Sequence, residues 1–437
     1  MNTKTVLAKR VSSRISSLIF YFGIILLLLG PMSLFPIQFY GFENRKISVV
    51  FLFGGLIFEL ITFSNRSILN RINSLDLFPL NLFFLVTFFS LVVNPADITE
   101  QFGIYFSSFI AFYYGWLFFK TKDVEKREAV LKKLEIVFVC LGLFISLISL
   151  SIAIFKFNAL NILRNFVSEK MFIKLLFEFN RGRIFPIIPI DIIGVFTIAA
   201  FIDLGKNGTS PKKTRLLQLF SLLSLLTNAF GNYRSHFFSG IIGIILLLKI
   251  NRIWHLFRKL LLMFAFVIFL STLLLPTNLI KRFALSDKED LINIQSRLHN
   301  LDLAIQIFKN YPILGIGAGN LQDFVGIETV RIATEEETFI YQAYQHPHNY
   351  YALILAENGL VGFLSFTLMV FYFLWTDIKS ININSNNGQI VSLIVSSWVF
   401  LIGSALDWYP AHIIIFFFLT RGIIAGNSGK ILLRTIH

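Results

Sequence analysis

The chain has 437 residues, of which 55% are hydrophobic, 16% aromatic and only 15% charged, and its mean hydropathy is +0.71. Soluble domains carry about 25% charged residues, so this composition excludes one and indicates an integral membrane protein. The net charge of +14 does not point to nucleic acid, because the lysines and arginines stand between apolar runs, where they set topology.

Twelve apolar runs bounded by charge or by Gly, Pro and Asn clusters are candidate spans: 17–40, 47–63, 75–93, 101–119, 134–155, 184–203, 216–230, 236–250, 256–275, 349–375, 389–405 and 411–425. The first follows Lys4, Lys9, Arg10 and Arg14, is too long for a signal-peptide core and lacks a small-residue cleavage site, so it reads as a retained span. Threading from a cytoplasmic N-terminus places Arg66, Arg71, Lys120, Lys122, Lys126, Arg127, Lys132 and Lys133 inside. Lys206, Lys212, Lys213, Arg215, Lys249, Arg252, Lys379 and Arg421 also fall inside, and both termini are cytoplasmic. The expected fold is all-α, a polytopic bundle of about 12 spans. Cys140 is the only cysteine, so no intrachain disulfide is possible.

Residues 216–250 would make one helix about 50 Å long, far more than a hydrocarbon layer of roughly 30 Å needs. They read instead as a hairpin broken at Gly231-Asn232-Tyr233-Arg234-Ser235-His236, with Arg234 at its extracytoplasmic tip. Two long outer segments remain. In 156–183, Leu160, Leu163, Val167 and Met171 recur at helical spacing with Arg164, Lys170 and Lys174 between them, as in an amphipathic helix on the outer surface. In 276–345, the largest soluble piece, Leu291, Ile294, Leu298, Leu301, Ile305 and Phe308 form a stripe expected to pack down, with Arg297 on its flank.

Arg183, Arg234, Arg297 and the cluster His346-Pro347-His348-Asn349 therefore fall on one side. Outer cations run against the positive-inside bias, and guanidinium forks match phosphate oxygens, so a diphosphate is the natural partner. Snorkelling to lipid headgroups is the plain alternative for any one of them. Pro347 suits a first helical turn, so the histidines sit where free backbone N–H groups disfavour imidazolium and leave a neutral base. The alternative there is simple capping, with Tyr350 and Tyr351 as interfacial aromatics. One His-x-His without a nearby carboxylate pair does not make a catalytic metal site. Glu357, about 13 Å deeper along the same helix, reads as a buried hydrogen-bond centre, as does Glu59. Gly315 to Asn320, "GIGAGN", reads as a tight turn after the Arg297 helix.

The block "SRLHNLDLAIQIFKNYPILGIGAGNL", Ser296 to Leu321, followed by "HPHNYYALILAENGLVG", His346 to Gly362, resembles the shared domain of the O-antigen ligase and O-antigen polymerase family. "GNYRSHFFSG" is similar to the family's earlier arginine turn, with Ser235 where glycine is usual. "RGRIFPIIPID", Arg181 to Asp191, is a weaker upstream element in which the usual Pro-Asn is replaced. The resemblance covers 181–375, including the periplasmic loop 276–348, and leaves 1–180 (spans 1–5) and 376–437 (spans 11–12) as hydrophobic pattern.

The resemblance implies a glycosyltransferase of the inner membrane that takes a glycan from an undecaprenyl-diphosphate carrier at the periplasmic face. The acceptor would be lipid A core (ligase) or a second lipid-linked repeat (polymerase). Catalytic roles carry over to His348, Arg234 and Arg297, with Arg183, His346, Asn349 and Tyr350 expected to line the substrate site. Glu357, Gly315 and Gly317 are expected as support. It implies inverting, metal-independent chemistry without a cofactor, with membrane lipids but no nucleic acid as partners; His348 acts as a base or only orients the acceptor. The rival is a transporter or flippase of lipid-linked oligosaccharides, which would distribute its charges along a path open to both sides between symmetric halves.

Overall fold

In lipid every backbone N–H and C=O must find a partner within the protein, and an apolar run meets this condition most simply as a helix. The computed structural model describes residues 3–30, 44–62, 77–93, 98–155, 157–167, 169, 172–173, 175–176, 234–250, 262, 288–321, 324, 329–333, 338–342, 349–383, 388–406 and 411–428. In chain order these form α1 (Thr3–Leu29), α2 (Asn44–Thr62), α3 (Phe78–Val93), α4 (Ile98–Lys120), α5 (Val124–Phe155) and α6 (Phe157–Leu163). There follow α7 (Arg234–Ile250), α8 (Lys288–Asn310), β1 (Thr329–Ala333), β2 (Thr338–Gln342), α9 (Tyr350–Ile383), α10 (Gly388–Leu406) and α11 (Ala411–Ser428). The end of the bundle at which α9 begins is called the outer end here, and the opposite one the inner end.

Among the described residues, three segments are long and apolar enough to cross a membrane: Val11–Leu29, Tyr350–Ile381 and Gly388–Ala405. Phe78–Val93, Ser239–Ile250 and Ile413–Asn427 are shorter apolar helices. The expected spans at 184–203, 216–230 and 256–275 lie outside the described residues. α1 stops at Gly30, whose φ of 37° ends the helix, well before the expected boundary. α5 starts before its apolar run because Glu125, Lys126, Arg127, Ala129 and Lys132 are themselves good helix formers.

One departure from an all-α fold is a small antiparallel hairpin, with Thr329 opposite Gln342 and Ala333 opposite Thr338. Its strands, "TVRIA" and "TFIYQ", are rich in β-branched and aromatic residues, which suit a pleated ribbon better than a helix.

The tightest seam joins α4 to α11. A Cβ on Gly115 would lie 2.7 Å from the Leu419 carbonyl oxygen, and one on Gly422 would strike the Phe112 carbonyl. One on Gly426 would meet the Trp116 carbonyl at 2.5 Å. Glycines here let two backbones approach where a side chain would hold them apart, and the gain is dispersion contact that lipid cannot match. Around this seam lie the largest buried rings, including the stacked pairs Phe20–Phe118 (3.9 Å) and Phe400–Phe417 (4.4 Å). Of the stripe expected over 156–183, Leu160 and Leu163 on α6 and Val167 just beyond it are buried, but the helix itself ends at Leu163, and Met171 lies outside the described residues.

Polar islands pin the inner half. Glu59 on α2, fully buried, accepts hydrogen bonds from Ser16 of α1 and from Thr121 (3.3 Å), and faces Lys122 Nζ at 3.8 Å. Arg127 donates to the carbonyls of Lys122 (2.8 Å), Lys120 (3.4 Å) and Asn427 (3.3 Å), closing the ends of α4 and α11 together. Arg421, expected as one more cytoplasmic cation, is buried instead: its guanidinium donates to Asp377 at 2.7 Å and lies 4.1 Å from the centre of the Phe373 ring. Trp398 donates to the same carboxylate oxygen at 2.8 Å.

Breaking this pair one partner at a time strands a buried charge, which costs about 3–5 kcal/mol. Arg421→Leu and Asp377→Leu should each lower the unfolding midpoint in detergent sharply, and the double variant should recover much of the loss; strict additivity would show the two are uncoupled. Burial pushes the Lys122 ammonium down to about 8, against the opposing pull of Glu59. Above about pH 8 the unfolded chain then holds more protons than the folded one, so this group's contribution to stability rises with pH, and below that it is flat. Scans of the unfolding midpoint from about pH 8 to about pH 10 should show that rise in the native protein and its loss in Lys122→Met.

Candidate functional site

α8 ends in a turn that the glycines of "GIGAGN" make possible. Gly315, Gly317 and Gly319 have φ of 68°, 98° and 83°, a left-handed region that glycine enters at little cost. α9 is itself interrupted: Gly359 has φ 62° and ψ −162°, a conformation essentially restricted to glycine, and the helical hydrogen-bond ladder breaks there. The break frees carbonyls on one side and N–H groups on the other, and the turn takes up both. Ile316 and Gly317 donate to the carbonyls of Ala356 (3.2 Å) and Glu357 (2.8 Å), while Leu360 and Val361 donate to those of Pro312 (2.8 Å) and Ile313 (3.2 Å). Two stretches distant in sequence thus exchange four backbone hydrogen bonds.

The joint is braced from two sides. Ser90 of α3 has its hydroxyl 3.3 Å from the Leu314 carbonyl and 3.2 Å from that of Glu357. The Glu357 carboxylate, buried beneath the turn, accepts the N–H of Leu321 at 3.4 Å and is bonded by the backbone of Gly319. A Cβ at Gly315 would strike Glu357 and come within 2.6 Å of the Ala356 carbonyl; one at Gly359 would strike Ile313 and come within 2.6 Å of the Gly315 nitrogen. Glu357, Gly315 and Gly317 thus lie together in the joint.

The first turn of α9 is equally constrained. Asn349 caps it through its side-chain oxygen on the Ala352 N–H (3.0 Å) and donates its amide to the Ala405 carbonyl at the outer end of α10 (3.0 Å). Tyr350 is buried, hydrogen-bonded to Tyr105 of α4 and set edge-on to Phe366 at 5.9 Å. Tyr351 donates to the Leu401 carbonyl at 3.2 Å.

Arg297 lies exposed on α8, next to the face formed by the buried Ser296, Asn300, Ala304 and Ile307, and α8 packs on α9. That packed face is not the predicted one. Leu298 and Ile305, at the centre of the expected stripe, face outward with 60% and 37% exposure. The buried side is the more mixed one, with Ser296 and Asn300 beside Ala304 and Ile307. Arg234 opens α7, which packs on α10, but its side chain lies outside the described set, as do Arg183, His346 and His348 entirely. The joint therefore brings the Arg297 helix to the helix that Asn349 caps. Gly359, Ser90 and Tyr105 were not singled out from sequence; Asn358-Gly359 inside a span was the available signal, a turn dipeptide in an otherwise helical run.

These elements define a helical membrane protein with a span that is broken at Gly359 and re-joined by a glycine turn. Residues 219–367 match the O-antigen ligase family. The match supports a role in membrane glycan transfer at family level. The match takes in α7, α8, the turn, the hairpin and the outer part of α9, and it begins after the weaker upstream element at 181–191. No curated protein matches the chain.

Gly359→Ala should cost about 1–3 kcal/mol from the backbone alone and more from displacing the Ile313 carbonyl. Ser90→Ala, which removes one bracing hydroxyl, should cost about 1 kcal/mol. Thermal unfolding of the purified variants checks the order; equal stability of Gly359→Ala and the native protein would mean that the joint is not needed for the fold.

Proposed function

We propose that the chain is a glycosyltransferase of the bacterial inner membrane that moves a glycan from an undecaprenyl-diphosphate carrier to an acceptor hydroxyl at the periplasmic face. The observation that carries this reading is the joint between α8 and α9. It ties the turn after the Arg297 helix to the middle of α9, the helix before which His346, His348 and Asn349 stand in sequence.

In the reaction the acceptor oxygen bonds to the anomeric carbon as the bond from that carbon to the diphosphate oxygen breaks. Electrons from that bond leave with the carrier diphosphate. Arg297 and Arg234 meet the developing negative charge with fixed, preorganised positive charge, so the step needs no metal. His348, neutral at a helix start, takes the acceptor proton or holds the hydroxyl in line. Attack opposite the leaving group inverts the anomeric centre. Arg183, His346, Asn349 and Tyr350 complete the substrate site in this reading, with Asn349 and Tyr350 acting through the α9 start they secure. The acceptor is lipid A core or a second carrier-linked repeat.

Purified protein incubated with carrier-linked repeats, with and without lipid A core, separates the two acceptors: a lengthening ladder without core marks a polymerase, and product only with core marks a ligase. Arg234→Ala and Arg297→Ala should each reduce transfer at least about 100-fold with unfolding midpoints unchanged. Retained transfer in both would overturn the diphosphate role.

A further inference from the structure

Asp377 and Arg421 lie in apolar membrane segments, Asp377 within Tyr350–Ile381 and Arg421 within the shorter helix Ile413–Asn427. Their pair is closed at one corner only. Arg421 Nη1 donates to Asp377 Oδ2 at 2.7 Å, and Trp398 Nε1 donates to that same oxygen at 2.8 Å. The other carboxylate oxygen, Oδ1, and the guanidinium Nε–H are enclosed by protein, and among the described residues neither has a hydrogen-bond partner. A buried ion pair offsets its desolvation only when its remaining lone pairs and protons are satisfied as well, and lipid offers them nothing.

Two hydroxyls lie at the same level. Phe400 of α10 stacks on Phe417 of α11 at 4.4 Å, and Phe373 of α9 meets Phe417 at 6.4 Å. One helical turn inward from these three rings come Ser396, then Thr420 with Arg421, and Asp377. All four residues are at most 2% exposed. Other buried hydroxyls of the bundle return to a carbonyl of their own helix, as those of Thr87, Ser392 and Ser397 do. The Ser396 and Thr420 hydroxyls do not, and they have no other partner among the described residues. Charge decides what ligand suits this set. A cation would meet the guanidinium and an anion the carboxylate, whereas a neutral molecule that donates and accepts at once meets neither objection. Oδ1 and Nε each belong to the same carboxylate or guanidinium as a paired atom, so they lie within the span of one or two waters, at about 2.8 Å per hydrogen bond. A buried water makes about three hydrogen bonds to groups of this kind.

We propose that α9, α10 and α11 enclose an internal water site in the inner half of the bundle. Ordered water there donates to Asp377 Oδ1, accepts from Arg421 Nε–H and bonds the hydroxyls of Thr420 and Ser396. The ion pair is then a hydrated one, and the water joins Asp377, Arg421 and Trp398 as a fourth member of the tie among the last three helices. The inference stands on burial and hydrogen bonding and does not depend on the glycosyltransferase reading.

Thr420→Val and Ser396→Ala test the site by sign, each in the full chain in detergent. A hydroxyl unpaired in a dry core destabilises, so its removal would raise the unfolding midpoint; one that holds water stabilises, so its removal should lower it. In the Asp377→Leu/Arg421→Leu background, where the water has lost its charged partners, the same substitutions should no longer lower the midpoint. A second measurement uses the native protein. Pulsed X-ray irradiation turns bound water into hydroxyl radicals in place, and mass spectrometry reads the side chains they oxidise. Phe373, against the ion pair, should be oxidised severalfold faster than Phe83, which is buried among Phe84, Phe366 and Phe418. A midpoint raised by one substitution would remove that hydroxyl from the site; midpoints raised by both, or equal slow oxidation of Phe373 and Phe83, would overturn the proposal. A midpoint that rises with sodium chloride but not with choline chloride at the same concentration would put a cation there, which overturns it equally.

Discussion

A backbone N–H or C=O left unpaired in hydrocarbon costs several kcal/mol, and this cost governs the outer half of the molecule. Gly359 breaks a membrane-spanning helix and frees four such groups. The break persists because the Pro312 to Gly317 turn supplies matching carbonyls and N–H groups at 2.8 to 3.2 Å. Neither piece is stable without the other: the turn would bring unpaired amides to membrane depth, and the broken span would expose its own. The position of α8, and of Arg297 on it, follows from this exchange.

The two ends of the bundle are secured by different chemistry. At the inner end the ties are ionic or charge-assisted, with Glu59 and Lys122 under Thr121, Arg127 across the ends of α4 and α11, and Asp377 with Arg421 and Trp398 among the last three helices. At the outer end they are neutral: Asn349 to α10, Tyr350 to Tyr105 and Ser90 to the joint. Between them the glycine seam of α4 and α11 gives a close-packed spine. Among the described residues, fixed charges therefore stabilise the inner half and neutral hydrogen bonds the outer.

The stretch that matches the O-antigen ligase family is braced from outside itself. Ser90, Tyr105 and Ala405, which brace the joint and the start of α9, lie on α3, α4 and α10, outside residues 219–367. Helices that bear none of the candidate catalytic residues thus set the geometry of those that do.

Sequence by itself determined the apolar helices, the glycine turn after the Arg297 helix and the burial of Glu357, because each is written in a local signal: a run of about 20 apolar residues, clustered glycines, a lone carboxylate in a greasy span. Its motifs also showed the likeness to the O-antigen ligase family that residues 219–367 match. Tertiary structure alone decided which side of α8 packs: the buried side carries Ser296, Asn300, Ala304 and Ile307, while the apolar stripe through Leu298 and Ile305 stays exposed. It alone buried Arg421, whose partner Asp377 lies 44 residues away, and it alone joined Gly315 to Gly359. Periodicity reports which faces of a helix are apolar; which of them meets protein and which meets lipid depends on partners far along the chain, and no local pattern encodes that pairing.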